Sequence, residues 1–177
     1  PHVGISTFLI IAVAIVGAAE SFGVLIRAMF AAACTDPLTG LLNRAGWEVG
    51  TTALLKRFQS DPVTVTVVAL DIDGLKALND TYGHRAGDRR ITEYADHWTH
   101  ALPRDGVLAR LGGDEFAACI TGDRIQGFLD AVERHTPEVS VGVATRSSPD
   151  ARVAEMYAEA DAALYRSRGR PLRDERR

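Results

Sequence analysis

The sequence has little of what would mark a secreted, zinc-binding or nucleic-acid-binding protein. Its two cysteines, Cys34 and Cys119, stand far apart in apolar surroundings. That spacing excludes a disulfide framework and a zinc module, and leaves two small reduced side chains, as in a cytosolic domain. Basic residues are not in excess: 20 Lys and Arg against 23 Asp and Glu give a formal net charge of -3. Without a basic field to gather phosphates, no nucleic-acid partner is expected. Internal repeats and low-complexity segments are also missing. The 177 residues allow one domain of ordinary size with a short extension. The chain opens on Pro1 and not on methionine, as expected of a fragment or a processed form of a longer protein.

One long apolar run is present. Val3 to Ala19 is apolar or small apart from Ser6 and Thr7, and Ser21 to Phe30 could extend it across Glu20, with Arg27 as a second interruption. A last transmembrane helix of a larger sensor is the favoured reading, with residues 1–34 as a membrane-spanning, signalling helix. A cleaved signal peptide with its small residues at Val16-Gly17-Ala18 is a second reading, and a soluble or interfacial coupling helix a third. Arg27 beyond the run favours a cytoplasmic C-terminal side.

Past the Asp36-Pro37 and Thr39-Gly40 break, Leu41, Leu42, Ala45, Val49, Ala53, Leu54 and Phe58 recur at helical spacing. Val63 to Asp73 is β-branched and nearly continuous, the pattern of a central strand buried on both faces. Its end carries Asp71 and Asp73, two residues apart, so both carboxylates should leave one face while Ile72 enters the core. A short helical piece after Gly74, a polar loop through Gly83-His84, and a helix from about Asp88 to Ala101 follow. Strand-like runs Val107–Leu111 and Phe116–Ile120 flank Gly112-Gly113, which predicts a tight hairpin with positive φ at the glycines. A helix over Ile125–Arg134, a strand over Val139–Ala144, a helix over Met156–Ser167 and a charged tail from Gly169 complete the chain. This alternation gives an α/β (α+β) class with a central mixed, largely antiparallel sheet flanked by helices.

The acids carry the chemistry. Asp71 and Asp73 end a buried strand, while Asp114 and Glu115 sit at the hairpin tip. If the two strands are neighbours the carboxylates converge, and like charges that close call for a cation. Hard oxygen ligands favour Mg²⁺, which takes one or two protein carboxylates and completes its shell with substrate phosphates. Gly112 and Gly113 would let such a ligand approach the backbone. Lys76 and Arg110 are placed to meet phosphate oxygens, although surface ion pairing is the ordinary role of such residues. Asn79 and Asp88 offer the polar edges that a guanine requires.

Taken in order, Asp36-Pro37-Leu38-Thr39-Gly40-Leu41-Leu42-Asn43-Arg44, Asp71-Ile72-Asp73 through Asn79-Asp80 to Gly83-His84 and Gly87-Asp88, Arg110 through Phe116, and Ala160-Asp161-Ala162-Ala163-Leu164-Tyr165 resemble the GGDEF domain of diguanylate cyclases over about residues 35–170. The resemblance implies a palm-like nucleotidyl cyclase fold. It also implies condensation of two GTP molecules into cyclic di-GMP across a homodimer, with Mg²⁺ or Mn²⁺ as cofactor. By the same resemblance Asp71, the Ile72 carbonyl, Asp114 and Glu115 would be metal ligands, with Asp114 and Glu115 as the catalytic acids. Gly112 and Gly113 would lie against the phosphates, Asn79 and Asp88 would read guanine, and Lys76 and Arg168 would contact phosphate. His84 is expected to organise the loop between them. With the apolar helix read as a membrane span, the chain is expected at a bacterial cell membrane with its catalytic domain cytoplasmic, and residues 171–177 read as a charged tail. A GTP-binding regulatory module without turnover is the alternative.

Four departures stand out. Pro103 and Gly106 occupy the places of the family's Arg-x-x-Asp product-inhibition motif, so feedback at that place is not expected. Gly74-Leu75 replaces a pair in which an aromatic residue commonly follows, and Thr121 to Glu138 is short. Arg168 stands where a lysine is typical, with the ending compressed to Gly169-Arg170-Pro171.

Overall fold

The computed structural model describes residues 4–58 and 62–167. Two compact units divide between Cys34 and Thr35. The first is a single helix, α1 (Gly4–Ala33). Glu20 and Arg27 do not break it: the apolar stretch Thr7–Phe30 has a mean hydropathy of 2.4 over 24 residues. At 1.5 Å per residue that is about 36 Å, enough by length and composition to cross the hydrocarbon layer of a bilayer. The Ser21 hydroxyl donates to the Gly17 carbonyl at 2.8 Å, so that polar group is satisfied within the helix.

The second unit runs α2 (Arg44–Lys56), β1 (Thr64–Ile72), α3 (Leu75–Tyr82), α4 (His84–Ala101), β2 (Val107–Arg110), β3 (Glu115–Thr121), α5 (Ile125–His135), β4 (Val139–Ser147), a short 3₁₀ turn and α6 (Val153–Ser167). The four strands form one sheet in the order β2-β3-β1-β4. Every strand pair is antiparallel, and the parallel pairing among the described residues is the isolated bridge between Leu42 and Ala109. β1 is central and buried along nearly its whole length, as its β-branched run predicts.

Strand alternation divides the core in two. Val68, Leu70 and Ile72 of β1, with Phe116, Ala118 and Ile120 of β3, pack on one face against Tyr94 and Trp98 of α4 and Phe128 and Val132 of α5. Trp98 meets the edge of Phe116 at 4.8 Å between ring centroids, and its indole N–H is satisfied by the Thr136 hydroxyl at 3.0 Å. Val65, Val67 and Ala69, with Ala117 and Cys119, pack on the other face under Trp47 and Leu54 of α2 and Met156, Ala160 and Leu164 of α6. Burial there pushes the Cys119 thiol up to about 12, so it is an inert core residue.

On that second face the strand registers align one cross-strand row of small residues, Gly142-Ala69-Ala117-Ala109. The row is a trough, and α6 lies in it. A Cβ at residue 142 would overlap the Ala160 carbonyl oxygen and the Leu164 amide nitrogen, and would sit 2.8 Å from the Leu164 Cβ. Gly142 is not in the positive-φ region, so its requirement is for close approach and not for backbone conformation.

Three local expectations change. The helix expected from Asp88 begins at His84, because Gly83 at φ 81° turns the chain sharply between α3 and α4. The strand expected over Val139–Ala144 continues to Ser147, paired with Thr64 at the far end of β1. The hairpin tip is not a tight turn of two left-handed glycines: neither Gly112 nor Gly113 has positive φ. The Leu111 amide donates to the Glu115 carbonyl at 2.8 Å, and residues 112–114 form a wider loop.

Candidate active site

One row further along the sheet from the small-residue trough stands a polar row: Ser140 of β4, Asp71 of β1 and Glu115 of β3. Alternation fixes its direction. Asp71 continues the series Val65, Val67, Ala69 and therefore projects to the α6 side, while Ile72 enters the opposite core. The ladder continues one step beyond, the Ile72 amide donating to the Asp114 carbonyl at 3.1 Å. Asp71, Asp114 and Glu115 then line one cavity of about 550 Å³, closed on its other wall by Asp161, Tyr165 and Arg166 of α6. The Tyr157 hydroxyl is held above its ordinary pKa by burial, then by the charges of Glu115, Asp161 and Asp71, with Arg44 opposing.

Asp73 does not join this cluster. Its carboxylate accepts from the Ser140 hydroxyl at 2.9 and 3.0 Å, and its amide donates to the Glu138 carbonyl at 2.9 Å. The strand has ended at Ile72, so the two-residue spacing no longer places Asp71 and Asp73 in one ligand set.

Arg110, expected at the phosphates, is engaged within the loop. Its Nε and Nη2 donate to the Gly113 carbonyl at 3.2 and 2.8 Å, and its Nη1 pairs with Asp36 at 3.0 Å. Asp36 in turn accepts from the amide and hydroxyl of Thr39 at 3.0 and 2.8 Å, and the Arg110 amide donates to the Leu42 carbonyl at 2.8 Å. The loop opening this unit is therefore tied to the hairpin tip. Gly112 lines a separate cavity of about 500 Å³ with Asp36, Asn43, Arg44 and Arg110. Arg44 turns its Nη2 to the Leu111 carbonyl at 3.3 Å.

Burial works against ionisation of Asp36, but hydrogen bonds from Thr39 and Arg110 outweigh it and hold the carboxyl below its ordinary range. A carboxyl with a lowered folded-state pKa stabilises the fold fully above its unfolded value, near 3.9, and loses that contribution as pH falls through the folded value. Asp36→Asn is expected to cost roughly 1–3 kcal/mol at neutral pH. In urea titrations that gap should be constant above about pH 5 and close below about pH 4. A gap independent of pH would show that the Asp36 charge is not what holds the loop.

A second polar group lies on α3 and α4, outside the acidic cavity. The Asn79 side chain packs on Gly87, its Cγ 2.9 Å from where a Cβ would stand, and its Oδ1 is buried with no partner. Asp88 follows at once, exposed on α4, and Lys76 is exposed on α3, one turn before Asn79. His84, expected in the loop, is the first residue of α4. Arg168 lies outside the described residues.

The cavity also contains what the sequence alone did not single out. Asp161 and Tyr165 stand in the last of the family-like stretches without an assigned role and Arg166 has none either, yet all three line the acidic cavity. Their positions i, i+4 and i+5 on one helix were the available signal. Which face of α6 meets the sheet depends on the trough, and the trough exists only once the strands are in register.

The family model described as "Diguanylate cyclase, GGDEF domain" matches residues 33–135. An uncharacterized protein of Streptomyces griseus is 36% identical over 77% of this chain and 62% of its own length. The probable diguanylate cyclase DgcC of Escherichia coli is 31% identical over 75% of this chain and 40% of its own length. The chain thus spans less than two thirds of either relative. Among solved structures, the coiled coil and GGDEF domain of DgcB from Caulobacter crescentus in complex with c-di-GMP superposes with a TM-score of 0.76 at 25% identity, covering 92% of this chain and 94% of that one. With the acid row, the hairpin tip and these likenesses together, the chain belongs to the GGDEF domain family.

Proposed function

We propose that this chain is a diguanylate cyclase, joining two GTP molecules into cyclic di-GMP with release of two pyrophosphates. The observation that carries the reading is the acid row: Asp71 opposite Glu115, with Asp114 beside them, lining one open cavity. Oxygen donors of this kind suit a hard cation such as Mg²⁺ or Mn²⁺, which completes its shell with water and phosphate. Asp71, the Ile72 carbonyl, Asp114 and Glu115 would hold it, and when bound it offsets phosphate charge and lowers the pKa of the 3′-hydroxyl.

The chain's own groups do the rest. The Asp114 carboxylate accepts the proton of the 3′-hydroxyl. The oxygen attacks the α-phosphorus of the other GTP, the new P–O3′ bond forms, and the bond to the β-phosphate breaks with its electron pair leaving on pyrophosphate. Gly112 and Gly113 leave the backbone bare for the triphosphate, and space around Gly113 is open. Lys76 and Arg168 offset charge on the leaving group. The orphaned Asn79 Oδ1 and the Asp88 carboxylate are acceptors, matching the N1–H and 2-amino donors of guanine. His84 organises that corner, and Arg110 positions the hairpin tip.

Each domain holds one GTP, and each 3′-oxygen must reach the other nucleotide, so the working unit is a homodimer. The helix α1 anchors it to the bacterial membrane with the catalytic domain in the cytoplasm, where GTP is available. Incubating the full chain in detergent micelles with GTP and Mg²⁺ tests the reading by the mass of the product. Cyclic di-GMP that disappears in Asp114→Ala supports it. GTP binding without product would favour the regulatory module, and neither binding nor product would defeat both.

A further inference from the structure

We infer that Ser140 is a positioning residue for the cation site: its hydroxyl turns the Asp73 carboxylate aside and so sets how many carboxylates a cation meets. The inference rests on the reading that a divalent cation sits among Asp71, Asp114 and Glu115.

Asp73 takes no part in the acid row. It stands two residues beyond Asp71, where alternation would send both side chains to one face, yet Asp71 lines the acidic cavity and Asp73 does not. Among the described residues no Lys, Arg or His side chain forms an ion pair with Asp73. What holds its carboxylate is the Ser140 hydroxyl, 2.9 Å from Oδ1 and 3.0 Å from Oδ2. Ser140 is only 6% exposed and stands directly opposite Asp71 in the β1–β4 ladder. A serine hydroxyl has one proton to give, and here that proton lies between the two Asp73 oxygens.

The backbone beside this bond is braced independently. The Asp73 amide donates to the Glu138 carbonyl at 2.9 Å, and the Glu138 carboxylate pairs with Arg90 of α4. Those contacts keep the Asp73 backbone beside β4 with or without the hydroxyl, so the hydroxyl governs where the carboxylate points. Released, a carboxylate two residues from Asp71 would be drawn to a cation in the acid row.

The count matters because hard cations differ in how many carboxylates they take. Mg²⁺ holds to octahedral geometry, keeps several waters and uses few carboxylates, whereas Ca²⁺ accepts more oxygens in flexible geometry and binds more tightly as charged ligands are added. A further carboxylate beside Asp71, Asp114 and Glu115 would therefore favour Ca²⁺ and fill positions that substrate phosphates need. Holding Asp73 back keeps the site selective for the smaller ion and open on its nucleotide side. A serine bonded to a nearby carboxylate can also serve only to fix a turn, with no cation involved, and the test separates the two roles.

Calorimetric titration of the full chain in detergent micelles with Ca²⁺ and with Mg²⁺, in the absence of nucleotide, provides that test. Ser140→Ala should bind Ca²⁺ roughly tenfold more tightly than the wild type, with Mg²⁺ affinity changed by less than about twofold. Asp73→Asn added to Ser140→Ala should cancel the gain, which a turn-fixing role would not produce in the first place. Ca²⁺ affinity no higher in Ser140→Ala than in the wild type would overturn the inference and leave the cyclase reading standing. A gain that survives in the double variant would also overturn it, because the added ligand would then not be Asp73. A wild-type protein that binds neither cation and forms no cyclic di-GMP would instead remove the reading on which the inference rests.

Discussion

Asp71→Asn is expected to leave a folded domain whose formation of cyclic di-GMP is reduced by roughly three orders of magnitude, the scale for removing a group that organises transition-state charge in phosphoryl transfer. The substitution keeps the size of the side chain, so the packing of a residue only 9% exposed is preserved. It removes one negative charge from a row in which Asp71 faces Glu115 directly across two strands. Like charges placed opposite one another in a sheet are destabilising, so the thermal midpoint should stay the same or rise. The pair of readouts is the point: lost product with equal or greater stability marks a residue held in place for chemistry. Product formation above about a tenth of the wild type would mean that Asp71 does not take part.

The second large effect is on stability, at a residue with no functional group. Gly142→Ala is expected to cost about 3 kcal/mol, at the upper end for overpacking, because the atoms it meets belong to the backbone of α6 and cannot rotate away. In a domain of this size that lowers the thermal midpoint by roughly 10 °C. The helix can relieve the overlap only by lifting from the trough, and Asp161, Tyr165 and Arg166 lift with it. Nucleotide affinity should therefore fall together with stability, unlike the outcome for Asp71→Asn. An unchanged denaturation midpoint in Gly142→Ala would show that α6 does not lie as close to β4 as it does in this structure.

Much of this domain is legible in the sequence. The β-branched run over Val63–Asp73 is the central strand, and the two apolar runs around Gly112-Gly113 form a hairpin paired beside it. The convergence of Asp71 with Asp114 and Glu115 needed only that one adjacency. What could not be read depends on registers. Ala69, Ala117, Ala109 and Gly142 are unremarkable in their own segments, and become a trough only when three strand pairings align them. Asp73 looked equivalent to Asp71 by spacing, but the strand stops between them and Ser140 takes its carboxylate. Arg110 looked like a phosphate ligand by type, while its partner Asp36 lies 74 residues away in sequence. Long-range ion pairs of that kind leave no local pattern.

The hairpin tip has one more consequence. Its glycines take ordinary negative φ, and a side chain at residue 113 would enter open space, while one at 112 would meet the Glu115 side chain, most closely its carboxylate oxygen at 3.0 Å. The fold therefore exerts almost no hold on the two positions that give the motif its letters. Drift there would be invisible to any selection for a stable protein and visible only to selection for turnover. On the proposed cyclase reading, a single substitution there would remove turnover and leave an intact domain, free to be recruited as a listener in place of a source.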